Sequence, residues 1–338
     1  MKYYFEHYYR KYPQSTIQDY LKYLKQMCHG PNHFFRNEDE PIKGLIAEVE
    51  NQKKGPSNED LYEYVGSNYL RINLRPYQKL DLDLEKLNSA FVFSATIQKV
   101  SIDIDTALIK LENFLVRIFP EAEVKAEISK YKTDNYPALS HSKIYHQTYK
   151  PAYRLIQSKF IDNELRLLQI QNFLKRFPKK ELTVIAIDGA SSSGKTTLSN
   201  ELKKREDITL IHVDDFFDES NEEVGINSAR IKEEILLNLC PGKPLIYQKY
   251  DCTKKEFIEE RIQKVKNIVV LEGVYSANPV LRDFLDAFIF FDISKEEQIL
   301  RLEKRSKKLL PRFLSEWLPR ERRYFQKENV YTNADLIV

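Results

Sequence analysis

Cysteine is scarce in this chain. Cys28, Cys240 and Cys252 are the three in 338 residues, too few and too scattered for a disulfide framework or a Cys-based zinc site. A reducing compartment fits, so the expected location is cytoplasmic. Excess charge of one sign is also missing: 53 Lys+Arg against 50 Asp+Glu leave a net +3, too balanced to indicate a nucleic-acid surface. No apolar run approaches the length of a membrane span, and the opening Met1-Lys2-Tyr3-Tyr4-Phe5-Glu6-His7 lacks the apolar core of a signal peptide, so no membrane role is expected. Glycine is rare as well, 9 residues in all, which makes any cluster of it informative. Hydrophobic residues make up 42% of the chain, enough for true cores, and the length suggests about two domains.

Two of the nine glycines bracket Gly189-Ala190-Ser191-Ser192-Ser193-Gly194-Lys195-Thr196, a complete phosphate-binding loop. Such a loop needs a strand before it and a helix after it. Residues 183–188 are an apolar, β-branched run suited to a buried parallel strand, and 197–205 place Leu198 and Leu202 one helical turn apart. The glycines let successive N–H groups and the positive helix end face a β-phosphate. Lys195 adds a charge toward the β- and γ-phosphates, and the Thr196 hydroxyl can ligate Mg²⁺. The nucleotide contacts are therefore expected at Gly189, Ala190, Ser191, Ser192, Ser193, Gly194, Lys195 and Thr196, with Thr197 behind them, and the cofactors are ATP and Mg²⁺.

From residue 181 onward strand-like and helical stretches alternate, the signature of a parallel α/β sheet. Strands are expected at 183–188, 208–213, 267–271, 287–292 and 335–338, with amphipathic helices at 228–239 and 295–305. A doubly wound α/β domain follows, with ligands at the carboxyl ends of the strands. Residues 1–160 differ in character, being tyrosine-dense at the start. They are expected to form a separate α+β domain with strands at 69–74, 90–96 and 100–104 and a helix over 106–119. Residues 161–180 read as a connecting helix ending before Pro178, and 51–60 as an exposed loop.

Several features after the loop suit a small-molecule kinase. Val213-Asp214-Asp215-Phe216-Phe217 follows the second strand, where a carboxylate can accept the proton of an attacking hydroxyl; an acidic strand-end turn is the plain alternative. Residues 267–273 close an apolar strand on Glu272 and Gly273, and an acid beside a phosphate loop commonly holds Mg²⁺ or its water shell. Tyr247 to Asp251 offers aromatic faces and a polar end, with packing an equal reading. A basic run passes through Arg301, Arg305 and Arg312 to Arg323, where arginines can neutralise a transferring phosphoryl group, although most such runs are solvated helix faces.

In this order the motifs resemble the uridine kinase, phosphoribulokinase and bacterial pantothenate kinase group. The carriers are the phosphate loop, Asp-x-Phe-Phe at 214–217, Tyr250-Asp251, Val-Val-Leu-Glu-Gly-Val at 269–274, Asp286 to Asp292, and Arg301-Leu302-x-x-Arg305. The ending, Trp317-Leu318-Pro319-Arg320-Glu321-x-x-Tyr324-Phe325 and Ala334-Asp335, is most similar to uridine-kinase-like bacterial proteins, and the resemblance covers about 182–338. It implies Asp214 as the catalytic aspartate, assisted by Lys195, Arg301 and Arg305. It further implies substrate contacts at Asp215, Phe217, Tyr250, Asp251 and Arg312, and metal ligation by Thr196 and Glu272. After Tyr-Asp the nucleoside kinases usually continue with His and Arg that read base and sugar; here the chain runs Cys252-Thr253-Lys254-Lys255-Glu256-Phe257, so a hydroxyl-bearing metabolite other than a nucleoside is an alternative acceptor.

The expectation is thus an ATP-dependent kinase acting on a small-molecule hydroxyl, with no nucleic-acid partner and with a homo-oligomer left open. The rivals are a nucleotide hydrolase and a nucleotide sensor whose first half binds a partner. That half carries two histidine pairs, within 29–34 and 140–146, which read as structural in the absence of completing ligands. Its 140–154 stretch, with His141, Tyr145 and Arg154, is expected to face the acceptor.

Overall fold

The computed structural model describes residues 2–31, 40–51, 59–96, 102–177, 181–205, 208–218, 220–221, 223, 225–251, 254 and 256–338. The chain divides into two compact units, Met1–Asp162 and Asn163–Val338.

The first unit is α+β. Helices α1 (Lys2–Lys11), α2 (Ile17–His29) and α3 (Glu40–Asn51) lead to strands β1 (Tyr62–Val65) and β2 (Tyr69–Asn73). Then come α4 (Leu74–Lys79), α5 (Leu84–Thr96), α6 (Ile104–Leu115), α7 (Glu121–Thr133), α8 (Lys143–Tyr149) and β3 (Tyr153–Gln157). The strands form an antiparallel sheet in the order β1-β2-β3. Its core is built largely from tyrosines, among them Tyr8, Tyr20, Tyr23, Tyr69 and Tyr145, with Phe5, Leu24 and Leu111. A wholly buried Arg71 is compensated by Glu63 at 3.1 Å and by two hydrogen bonds to the Gln26 side-chain oxygen at 2.7 and 3.0 Å, with the Tyr153 ring 4.7 Å from its guanidinium.

Three expectations change here. The 90–96 run is not a strand but the end of α5: Ser94 donates to the Ala90 carbonyl at 2.6 Å and accepts the Gln157 N–H at 2.8 Å, which seats the helix on β3. The expected 100–104 strand does not form over its described residues, 102–104: Ile104 starts α6 after an Asp103 cap, and residues 100 and 101 lie outside the described residues. Within the 140–154 stretch, His141 and Tyr145 turn inward rather than toward a ligand. His141 and Tyr145 are 6% and 1% exposed, and with Asp19 ionised the His141 Nδ1–H donates to it at 3.0 Å while Nε2 accepts from the Tyr153 hydroxyl at 2.8 Å. Burial holds the His141 imidazole down at about 4, so it is neutral at pH 7. Arg154 pairs with Glu48 at 2.5 Å. Residues 32–34 of the first histidine pair lie outside the described residues.

The second unit opens with α9 (Asn163–Leu174), then β4 (Thr183–Gly189), α10 (Lys195–Arg205), β5 (Ile208–His212) and a 3₁₀ turn at Val213–Phe216. A short helix α11 (Ser228–Arg230) continues into a π-helical turn, Ile231–Ile235, so the expected helix at 228–239 is only partly α. The hairpin β6 (Pro244–Asp251) and β7 (Glu256–Lys264) comes next. It is followed by β8 (Ile268–Glu272), α12 (Pro279–Arg282), β9 (Ala287–Phe291), α13 (Lys295–Ser306), α14 (Leu310–Arg312), α15 (Leu318–Lys327), α16 (Val330–Asn333) and β10 (Leu336–Ile337).

The five-stranded sheet runs β10-β9-β4-β8-β5, and all its pairings are parallel. Every residue of β4 is buried, because a parallel sheet is covered on both faces and so needs continuous rather than alternating apolarity. Leu167, Ile170 and Phe173 of α9 and Leu198 and Leu202 of α10 pack on Ile185, Ile187, Val270 and Ile289. This register brings the carboxyl ends of β4, β5 and β8 to one level, with His212 directly opposite Glu272. Among the described residues no helix is long and apolar enough to cross a membrane.

Candidate active site

The loop between β4 and α10 owes its shape to its backbone. Gly189 and Gly194 adopt φ 140 and 104, and Ser192 sits at φ 62, a left-handed conformation that side chains seldom take. Alternating hands of this kind turn successive N–H groups into one concavity, an anion nest at the N-terminus of α10. A Cβ at Gly189 would stand 2.4 Å from the Phe291 carbonyl oxygen, so only glycine allows β4 to approach β9 there. Lys195 is 6% exposed and folds back, donating to the Gly189 and Ala190 carbonyls at 2.8 and 2.9 Å.

Facing the loop is a chain of hydrogen bonds. The Thr196 hydroxyl donates to one Glu272 oxygen at 2.9 Å, and His212 Nδ1 donates to the other at 2.7 Å. The bond to Glu272 raises the His212 pKa above its ordinary value despite partial burial. Asp214 and Asp215 then part company. Asp214 is exposed, and its Oδ1 lies 3.5 Å from where a Cβ on Gly273 would stand, beside the end of β8. The protein mass around it and the charge of Glu272 raise its pKa, with Lys195 and His212 opposing. Asp215 points inward, 4% exposed, with the Lys249 ammonium at 3.3 Å and the Tyr247 hydroxyl donating at 3.4 Å.

A cleft of about 550 Å³ adjoins this turn, lined by Phe217, Asp218, Asn227, Arg230, Tyr250 and Phe257. Arg230 is fixed between the rings of Phe216 (5.0 Å) and Phe257 (4.6 Å), paired with Glu234 and donating to the Gln248 carbonyl. Asp251 accepts the Lys254 N–H at 3.2 Å in the hairpin turn, while Cys252 and Thr253 lie outside the described residues. Of the three arginines singled out from the sequence, Arg301 reaches the loop, 3.4 Å from the Ser192 and Ser193 carbonyls. Arg305 is exposed, and Arg312 pairs with Glu316 and covers the Trp317 ring at 4.7 Å.

Sequence reasoning assigned no role to two acids that brace this site. Asp188, fully buried at the end of β4, accepts the N–H groups of Gly189, Tyr275 and Ala277 and the Tyr324 hydroxyl at 2.6 to 3.1 Å, and burial raises its pKa. Glu321 of α15 grips Ser191. Their signals were present, an acid ending a buried strand and Glu-x-x-Tyr on one helix face, but Tyr275 and Ala277 lie more than eighty residues from Asp188, and Ser191 lies 130 from Glu321.

No family model matches the chain. In sequence it is similar to the uridine kinases of Staphylococcus aureus strains JH9 and Newman, 28% identical over 184 residues that span 47% of this chain and 88% of each relative. Among solved structures, a possible uridine kinase from Bacillus stearothermophilus aligns with 52% of this chain and 98% of its own at 20% identity and a TM-score of 0.41. The carboxyl-terminal half, with its parallel sheet, phosphate loop and sequence similarity, resembles the uridine kinases among P-loop kinases.

Proposed function

We propose that the second unit transfers the γ-phosphoryl group of ATP to a hydroxyl of a small molecule, either a nucleoside such as uridine or another hydroxyl-bearing metabolite. The observation that carries this reading is the placement of Asp214. It is an exposed carboxylate, within electrostatic reach of Lys195 and Glu272, at the carboxyl ends of β5 and β8. The similarity to uridine kinases supports the same reading at the level of reaction class.

In this reading the loop amides and Lys195 hold the triphosphate, Lys195 exchanging its two carbonyl partners for phosphate oxygens. The acceptor lies on the faces of Phe217 and Tyr250 with its hydroxyl toward Asp214. As the hydroxyl oxygen bonds to the γ-phosphorus and the bond to the β–γ bridging oxygen breaks, Asp214 takes the hydroxyl proton and later returns it to solvent; ADP leaves. Arg301 stands nearest the loop to offset charge on the moving group. Thr196 and Glu272 present hard oxygen donors of the kind Mg²⁺ takes alongside phosphate oxygens and water, and an ion held there would neutralise charge on the β- and γ-phosphates. The pocket of aromatic faces beside the base gives an acceptor room that water would not need.

The test is ADP release by the full chain with Mg²⁺ and a panel of nucleosides, sugars, polyols and vitamin precursors. One acceptor should raise the rate, and Lys195→Ala should lower that rate by about 10²–10³. ADP release that no acceptor alters would point to hydrolysis instead.

A further inference from the structure

Glu321 stands 130 positions beyond Ser191, yet its carboxylate, 3% exposed, closes on that residue. One oxygen accepts the Ser191 N–H at 3.1 Å and the other accepts the Ser191 hydroxyl. Gln298 of α13, 4% exposed, completes the grip: its amide nitrogen donates to the Ser191 carbonyl at 3.0 Å and to Glu321 at 3.3 Å. Ser191 is thus held on its N–H, O–H and C=O at once by side chains of two helices that lie between β9 and β10 in the chain. The Ser191 N–H and the Gln298 amide nitrogen donate to Glu321, and the Ser191 hydroxyl can donate as well, contacts that suit an ionised carboxylate. Burying such a charge beside a loop meant for phosphates is costly, so its retention asks for a role.

The next residue supplies one. Ser192 is the left-handed position that turns the following amides into the nest, and a non-glycine residue persists there only when its surroundings over-determine it. Fixing the Ser191 peptide from outside fixes the entry to that strained residue. We propose that Glu321 and Gln298 are positioning residues that hold the phosphate loop in its nucleotide-receiving form, and that loop order and the seating of α13 and α15 are one coupled event. This rests on reading the loop as the nucleotide site. By reciprocity, nucleotide bound in the loop then stabilises α13 and α15.

The experiment uses the full chain and Mg²⁺ with ADP or ATP. Calorimetry measures affinity, and hydrogen–deuterium exchange follows α13 with and without nucleotide. Glu321→Ala is expected to weaken both nucleotides about tenfold or more. Glu321→Gln, which keeps the shape but supplies one acceptor, should fall between. In the unsubstituted chain nucleotide should slow exchange in α13, and that protection should vanish in Glu321→Ala and in Gln298→Ala. Should Glu321→Ala not fold, Glu321→Gln and Ser191→Ala carry the test, the latter removing one hydroxyl and costing a few-fold in affinity. Variants that only melt earlier, while binding nucleotide and protecting α13 as the parent does, would reduce Glu321 to a structural residue and overturn the proposal. If the unsubstituted chain binds no nucleotide, the reading of the loop fails first and this proposal with it.

Discussion

Adjacent residues of one kind can be given opposite tasks by what faces them, and Asp214 and Asp215 are the case in point. Lys249 and Tyr247 draw Asp215 inward, while Asp214 stays open beside Gly273. Asp214→Asn should therefore lower turnover by about 10²–10⁴ with ATP affinity unchanged. Asp215→Asn should act on stability, costing about 1–3 kcal/mol through the weakened Lys249 and Tyr247 contacts. Steady-state kinetics beside thermal melting separates the two, and reversed effects would shift the base by one residue. A pH profile adds a further check. A base must be ionised to work, and the Asp214 pKa is raised by its crowded surroundings and by Glu272, so the acidic limb of turnover should lie above the ordinary aspartate range. Asp214→Asn should abolish that limb. The sequence made this pair visible, but which member turned inward depended on Lys249, a residue of a hairpin that local pattern did not announce.

At the scale of elements, what was legible followed from period and punctuation. Continuous apolar runs gave the central parallel strands because both of their faces are covered, and the Gly–Lys–Thr turn gave the loop. What escaped was decided at a distance. The 90–96 run has strand-like composition, yet Ser94 satisfies itself on Ala90 and caps the Gln157 amide, so packing on β3 selects helix. The β6–β7 hairpin escaped because its outward face carries Ile246 and Ile262, 51% and 67% exposed, which blurs the alternation by which a half-buried ribbon is recognised. Gly273 shows how tightly the ends of β5 and β8 are fitted: at φ 150, a Cβ would fall 2.9 Å from the Val213 Cβ. Gly273→Ala should cost about 1–3 kcal/mol in backbone strain and displace Asp214. Melting and turnover should fall together, and an alanine variant that kept full activity would contradict this placement of the base.

At the scale of the molecule, the two units call for different explanations. The first has a core of tyrosines around a buried Arg71, and His141 and Tyr145 serve that core, so these two side chains belong to packing. The second contains every group placed in the proposed reaction, and α9 is part of its core rather than a tether. A chain beginning at Asn163 is accordingly expected to fold and bind ATP. One beginning at residue 181 strips Leu167, Ile170 and Phe173 from the sheet and should lose several kcal/mol of stability. Denaturant unfolding of both truncations with and without nucleotide checks this, and equal stability would show that α9 is dispensable. The central claim is that phosphoryl transfer runs through Asp214, and the most direct measurement follows the γ-phosphorus itself. ATP labelled at that position is incubated with Mg²⁺, the full chain or its Asp214→Asn variant, and the acceptor that raises ADP release. The account predicts label in a phosphomonoester of that acceptor, formed about 10² or more times slower by the variant. Label appearing only as inorganic phosphate, or the ester forming equally fast without the Asp214 carboxylate, would contradict it.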